Sequence, residues 1–292
     1  MSEGVKTKLS IVLGDYPHTK ALKSGQITSD RVELVFEHFS PTYRAFKPMV
    51  RELKFDVSEL AIVTYLMAKA YHRPLVLLPA VVLGRFQQSF AIYNGERGTL
   101  TPSDLEGRRV GIRSFTTTTG AWVRGILAND YGVNLDNVQW VTFEDPHVAE
   151  YKDTTARAPA GKTIISMLLD GELDAVIGDK SDDPRVKPLF GDPNVAAMAW
   201  HRRHGVVPVN HLVVVTEALA KSNPAAVEEV YRMLKESKQA SPAPAGIDFH
   251  VFGVEALREP LALIIDYCAQ QKLIPRRLTV DELFDDTTRR MN

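Results

Sequence analysis

A chain of 292 residues, 45% of them hydrophobic, is long enough for one large domain or, better, for two lobes with separate cores. A formal net charge of −1 gives no electrostatic footprint for nucleic acid or an anionic membrane surface, and a single cysteine, Cys268, excludes an internal disulfide. The polar start is followed by only a short apolar run, Leu9–Leu13; neither a signal-peptide core nor a membrane-spanning stretch is expected, which reads as cytoplasmic.

Lys8–Leu13 predicts a first strand running into Gly14-Asp15-Tyr16-Pro17-His18, with Pro17 suited to the first turn of a helix over 18–23. Asp15, Tyr16 and His18 then stand at the carboxyl end of a strand, where open α/β sheets place their ligands. Val32–Phe36 predicts a second strand, and Thr42–Leu53 a helix with Tyr43, Phe46, Met49 and Val50 inward. Phe55–Leu60 reads as a third strand containing Ser58 and Glu59, and 63–71 as a helix. Leu75–Leu83 is the continuous apolar run of a buried strand. Gly84-Arg85-Phe86-Gln87-Gln88-Ser89 interrupts it, Phe90–Tyr93 resumes, and Asn94-Gly95 signals a turn.

The pattern then restarts. A capped turn over 101–105 precedes a strand at Arg109–Arg113, a hydroxyl-rich turn at Ser114–Thr119 and a helix over 118–130 that Gly132 stops. Trp122, Val123, Ile126 and Leu127 form its apolar face, and Arg124 reads as a structural helix residue. A strand feeding a helix N-terminus presents unpaired N–H groups and a positive dipole end. Arg113, Thr116, Thr117 and Thr118 add donors there; four consecutive threonines exceed what a cap needs, so the turn is read as a site for a carboxylate or phosphate. Val138–Thr142 is the next strand, 144–161 a long loop, Thr163–Leu169 a helix, and Leu173–Ile177 a buried strand with Asp179 and Lys180 at its carboxyl end. Residues 182–203 read as helix and turn broken by prolines, His211–Thr216 as a strand, and 224–237, 254–271 and 280–284 as helices.

Alternating strands and helices argue for an α/β protein with parallel, doubly wound sheets. The restart after Asn94 and the long helices after His211 predict a discontinuous lobe from 1–93 and 204–292. An inserted lobe covers 94–203, with hinge crossings near 93–95 and 203–210 and a ligand cleft between the lobes.

This layout resembles the type II periplasmic-binding-protein fold, and more specifically the 4,5-dihydroxyphthalate decarboxylase family. The resemblance is carried by Gly14-Asp15-Tyr16, Phe55-Asp56-Val57-Ser58-Glu59-Leu60, Trp122-Val123-Arg124-Gly125-Ile126-Leu127, Tyr131-Gly132-Val133, Leu169-Asp170-Gly171-Glu172-Leu173-Asp174-Ala175 and the segment from Arg202 to His211. It covers roughly residues 8–215. The chain departs from the family pattern at His18, at Gln87-Gln88-Ser89 and at Ser114–Thr118, all of them positions expected to line the ligand site.

The resemblance implies cofactor-independent decarboxylation of a hydroxylated aromatic carboxylate. That chemistry asks for a general acid near neutral pKa, a group to handle the phenolic proton, and cationic or N–H donors for carboxylates. His211 is the first choice of acid, the ordinary alternative being a histidine packed at a hinge. His18 is the candidate second proton carrier, or else a surface histidine at a helix start. Glu59 and Asp15 are placed to polarise a hydroxyl or orient a histidine, and either would equally cap a helix. Arg85, Arg113 and the threonine turn are the expected carboxylate clamp, with Tyr16, Ser58, Gln88, Phe115 and Asp179 completing the lining. His201 and His204 share a helix spacing but lack a third ligand, so no metal site is assigned, a divalent metal being left open. The expected partner is a small aromatic or polycarboxylate anion, with no nucleic acid and no membrane; a homodimer suits an enzyme of this size. The rival reading on the same scaffold is a non-catalytic solute-binding protein for transport or sensing.

Overall fold

The computed structural model describes residues 5–292, which divide into two compact units. The first comprises the chain up to Gly84, Val209–Ile265 and Ile274–Asn292; the second comprises Arg85–Pro208 and Asp266–Leu273. No helix among the described residues is long and apolar enough to cross a membrane.

The first unit opens with β1 (Thr7–Val12), α1 (Lys20–Lys23), β2 (Val32–Phe36), α2 (Phe46–Glu52), β3 (Val57–Ala61), α3 (Ile62–Ala70) and β4 (Leu75–Gly84). The second holds β5 (Ala91–Asn94), β6 (Arg109–Ile112), α4 (Thr118–Tyr131), β7 (Gln139–Thr142), β8 (Ala156–Arg157), α5 (Ile164–Leu169), β9 (Ala175–Ile177), β10 (Val186–Pro188) and α6 (Pro193–His204). The chain returns through β11 (Val209–Thr216), α7 (Glu217–Ser222), α8 (Pro224–Gln239) and α9 (Val254–Gln270).

In the first unit the strand order is β2-β1-β3-β11-β4. The pairs β1–β2 and β1–β3 are parallel, whereas β11 runs antiparallel to both β3 and β4. The sheet is therefore mixed, not purely parallel as the alternating pattern suggested. The reason is local: Val209 pairs with Gly84, so the returning strand lies beside the departing one and must run the other way. β4 is an edge strand, which tolerates Pro79. Its outer side is covered, because Val81 N–H donates to the Val251 carbonyl and Gly253 N–H to that of Pro79. An exposed apolar edge is thereby closed.

The second unit has the order β10-β5-β9-β6-β7-β8, with β6 parallel to β7 and β9, and β5 antiparallel to β9 and β10. Residues 85–93, expected in the first lobe, belong here because β5 pairs with β9 and β10. Residues 204–208 also remain in this unit. The segment read as a loop over 144–161 contains β8, and the proline-broken stretch contains β10; both are short sheet edges with little apolar signal. Asp266–Leu273 joins this unit through α4. A Cβ on Gly125 would lie 2.0 Å from the Tyr267 ring, so glycine is what lets that ring approach, and Tyr267 meets the buried Trp122 edge-on at 5.7 Å.

Candidate functional site

The functional chemistry of the first unit gathers on Glu59. This residue lies in β3, whose five residues are all buried, and its side chain has no solvent exposure. Its Oε1 accepts from His211 Nδ1 at 2.6 Å and from the Tyr16 hydroxyl at 2.7 Å, while Oε2 accepts from Gly14 N–H at 2.8 Å. Burial alone would raise this carboxyl's pKa, but the bonds from His211, Tyr16 and Gly14 outweigh it and hold Glu59 below the usual carboxylate range. Glu59 is thus an ionised acceptor, and Nδ1 of His211 is the protonated nitrogen of that bond.

His211 sits where the β11–β4 pairing slips register on both sides of it. Such bulges re-aim a side chain. Its ring lies edge-on to Phe46 at 5.2 Å, and its side chain is 18% exposed. Nε2 makes no hydrogen bond among the described residues and is the nitrogen left for chemistry.

His18 is close to this cluster but not bonded into it. Its ring lies between Tyr16, parallel at 5.3 Å, and His250 at 3.9 Å, and its Nε2 is 3.1 Å from the Val82 carbonyl. Burial first, then the neighbouring His250, pushes its pKa down to about 4, so it is neutral at physiological pH. Asp15 is drawn into an ion pair with Lys23 and is largely exposed; Ser58 is fully buried, its hydroxyl donating to the Glu59 carbonyl at 2.8 Å. Neither adds a group to the cluster.

In the second unit the Ser114–Thr119 stretch, read as an anion site, has strand–turn–helix geometry. β6 leads into Ser114–Thr117, with Thr117 as the extended N-cap residue of α4 and Gly132 in the left-handed region ending it. Thr117 Oγ1 is buried and has no hydrogen-bond partner among the described residues. Thr116 Oγ1 lies 3.2 Å from Ser114 Oγ, and Thr118 is buried. Arg85 reaches the same helix end, its Nη2 donating to Thr119 Oγ1 at 3.2 Å, with the guanidinium 3.9 Å above Phe90. Lys180 Nζ lies 4.3 Å from the same ring, and Asp179 accepts the Lys180 N–H at 2.9 Å. Arg113 is half-buried and 3.9 Å from Glu144. Gln88 is buried, its Oε1 accepting from Gln87 N–H at 3.1 Å.

Phe115 brings in a residue whose role sequence reading missed. Arg124 has no solvent exposure; its guanidinium stacks 3.8 Å from the Phe115 ring, and Nη2 donates to the Phe115 carbonyl at 2.6 Å. Nε donates to Gln271 at 2.8 Å, 147 positions away. Gly14, His250 and Phe90 were likewise unassigned. Of these only Gly14 carried a signal, in the Gly14-Asp15-Tyr16 string. His201 is 2.8 Å from the Val206 carbonyl and His204 2.9 Å from Asp130, so both have structural partners. No group of three or more His, Cys, Asp or Glu among the described residues is arranged to hold a metal ion.

No family model matches the chain. The sequence is 33% identical over 238 residues to a 4,5-dihydroxyphthalate decarboxylase of Comamonas testosteroni, a match covering 75% of this chain and 71% of that protein. The chain belongs to the 4,5-dihydroxyphthalate decarboxylase family. A second relative, a 4,5-dihydroxyphthalate decarboxylase of Pseudomonas putida, is 29% identical over 216 residues, covering 68% of this chain and 82% of its own length. Membership places the protein among carboxy-lyases. The fold is that of the periplasmic aliphatic sulphonate binding protein SsuA from Escherichia coli, with a TM-score of 0.62 at 12% identity, over 96% of this chain and 98% of that one. This 4,5-dihydroxyphthalate decarboxylase family member therefore has the two-lobed α/β scaffold of binding proteins.

Proposed function

We propose that this protein decarboxylates a hydroxylated aromatic dicarboxylate such as 4,5-dihydroxyphthalate, with His211 as proton donor. The observation that carries the reading is the Glu59–His211–Tyr16 hydrogen-bond cluster in a member of this family. In such a substrate the carboxylate-bearing ring carbon lies para to a hydroxyl. His211 Nε2 delivers a proton to that carbon, and the para oxygen feeds in the electron pair for the new C–H bond as its own proton leaves to solvent and it becomes a carbonyl. The carbon–carboxylate bond then breaks, carbon dioxide departs, and the pair left behind restores the aromatic ring as the para oxygen regains its proton from solvent. The balance is one proton gained by carbon for each carbon dioxide released.

Glu59 supports this step by holding Nδ1, which fixes the ring's orientation and leaves Nε2 to face the reaction. Tyr16 shares Oε1 with His211 and so helps hold the carboxylate in place. His18 is a poor second proton carrier at neutral pH, because a base with a pKa of about 4 is badly matched to the task. We assign it instead to packing beneath Tyr16. Carboxylate recognition falls to Arg85, Arg113 and the threonine turn. The scheme needs no cofactor, since the para carbonyl formed on protonation accepts the electron pair of the breaking bond, and dialysis against EDTA is expected to leave the rate unchanged.

The test is a panel of 4,5-dihydroxyphthalate, phthalate and 3,4-dihydroxybenzoate, followed for carbon dioxide release. Release from the first and none from phthalate, which lacks the para oxygen, is expected. Equal release from phthalate would remove the proposed electron path, and thermal stabilisation without release from any compound would favour the solute-binding alternative.

A further inference from the structure

Arg124 carries a full charge at a position closed off from solvent. It makes no ion pair among the described residues; the Asp153 carboxylate acts on its charge only from beyond ion-pair distance. Its guanidinium spends Nε on Gln271, Nη2 on the Phe115 carbonyl and its face on the Phe115 ring, with Trp140 5.5 Å away. Nη1 is buried with no partner. A buried cation without a counter-ion is unfavourable, and apolar residues of similar volume are commonly at least as stable in such positions. Burial lowers its pKa to about 10, which still leaves it charged at neutral pH.

The unpartnered nitrogen points to where the charge is used. A Cβ built on Gly120 would sit 3.0 Å from Nη1 and 2.8 Å from Thr117 Oγ1, so Nη1 lies against the first turn of α4 beside the other unpartnered polar atom of that turn. The Phe115 carbonyl that takes Nη2 belongs to the same peptide group as Thr116 N–H. A charged donor on that carbonyl fixes the peptide and polarises its N–H toward an acceptor. The guanidinium thus adds a whole positive charge, in a low-dielectric setting, to the end of α4 that already carries the positive half of the helix dipole.

We propose that Arg124 is the fixed buried charge that sets the carboxylate affinity of the Ser114–Thr119 turn, acting through the turn as a positioning residue without touching the ligand. The bound anion supplies a close counter-charge that the protein itself, with Asp153 only at longer range, does not. This deepens the decarboxylase reading and rests on it only for the identity of the anion.

Binding, not turnover, tests it. Affinities of phthalate, benzoate and neutral benzamide are measured by calorimetry on the full chain and on Arg124→Met and Arg124→Lys. A charge effect weakens binding by on the order of tenfold for each negative charge on the ligand. Phthalate therefore loses most, benzoate less and benzamide nothing, and Arg124→Lys restores the order. An equal loss for all three, or none, would overturn the proposal. If Arg124→Met does not fold, Gln271→Glu places a carboxylate beside the guanidinium without opening a cavity, at the cost of the Gln271 bond to the Ala121 carbonyl. Weaker phthalate binding is then expected, and unchanged or tighter binding contradicts the charge role. Failure of carbon dioxide release with charge-ordered binding intact would count against the decarboxylase reading alone.

Discussion

Glu59 in the first unit and Arg124 in the second are both closed off from solvent, yet they are satisfied in different ways. Glu59 receives three hydrogen bonds, on both of its oxygens, two of them from side chains that chemistry can use. Arg124 makes two hydrogen bonds, stacks on one ring and leaves Nη1 unpartnered. A buried charge whose bonds are complete serves to hold its neighbours in position. One whose bonds are incomplete projects its field onto whatever binds nearby. On the proposed function, the first unit handles the proton and the second recognises the anion.

The sharpest way to break this contrast is to remove the acceptor. Glu59→Ala strands His211, Tyr16 and Gly14 donors in a buried site, and breaking a buried charge pair costs about 3–5 kcal/mol. Denaturant unfolding should show that loss. Glu59→Gln, of the same size, should fold while turnover falls by about 10²–10⁴-fold; turnover within threefold of the parent would remove Glu59 from the mechanism.

Gly120→Ala attacks the other unit. The added methyl would lie 2.2 Å from Ile112 Cδ1, and such overpacking costs about 1–3 kcal/mol. Phthalate binding should weaken with it; unaltered binding would show that the first turn of α4 is not the anion site.

Gly14→Ala is milder. Its methyl would fall 2.6 Å from the Tyr16 ring, which can swing aside at the cost of one hydrogen bond, about 0.5–1.5 kcal/mol. Stability should change little while turnover drops, separating Tyr16's role from the fold.

A further consequence is a slope of stability with pH. His18 has a folded pKa of about 4 against an ordinary value of 6.5. Between those values the unfolded chain binds a proton that the folded one refuses, so stability falls as pH drops from 6.5 toward 4. His18→Phe should flatten that part of the profile in denaturant titrations, and an unchanged slope would show that His18 is not buried neutral.

The elements were largely legible because apolar runs such as Leu75–Leu83 and the Trp122–Leu127 face declare themselves locally. Strand direction was not, since β11 shows the same apolar run whether it lies parallel or antiparallel to β3. The first unit boundary falls earlier than read, because β5 takes its partners from residues 82 to 96 positions onward, while the second crossing lies within the expected 203–210. At the site, His211 and Glu59 stood out as polar residues among apolar strand positions. Their bond spans 152 positions and no local pattern announces it. Arg124 read as an ordinary helix residue; only Gln271 and Phe115 packing around it make it a buried charge.

If His211 delivers the proton, its loss should abolish turnover and spare binding. Carbon dioxide release from 4,5-dihydroxyphthalate and binding of the same compound, measured side by side in the parent and in His211→Asn, test this most directly. Release lost by at least 10²-fold with affinity nearly unchanged is the expected result. Release at the parent rate, or a loss fully explained by weaker binding, would contradict it.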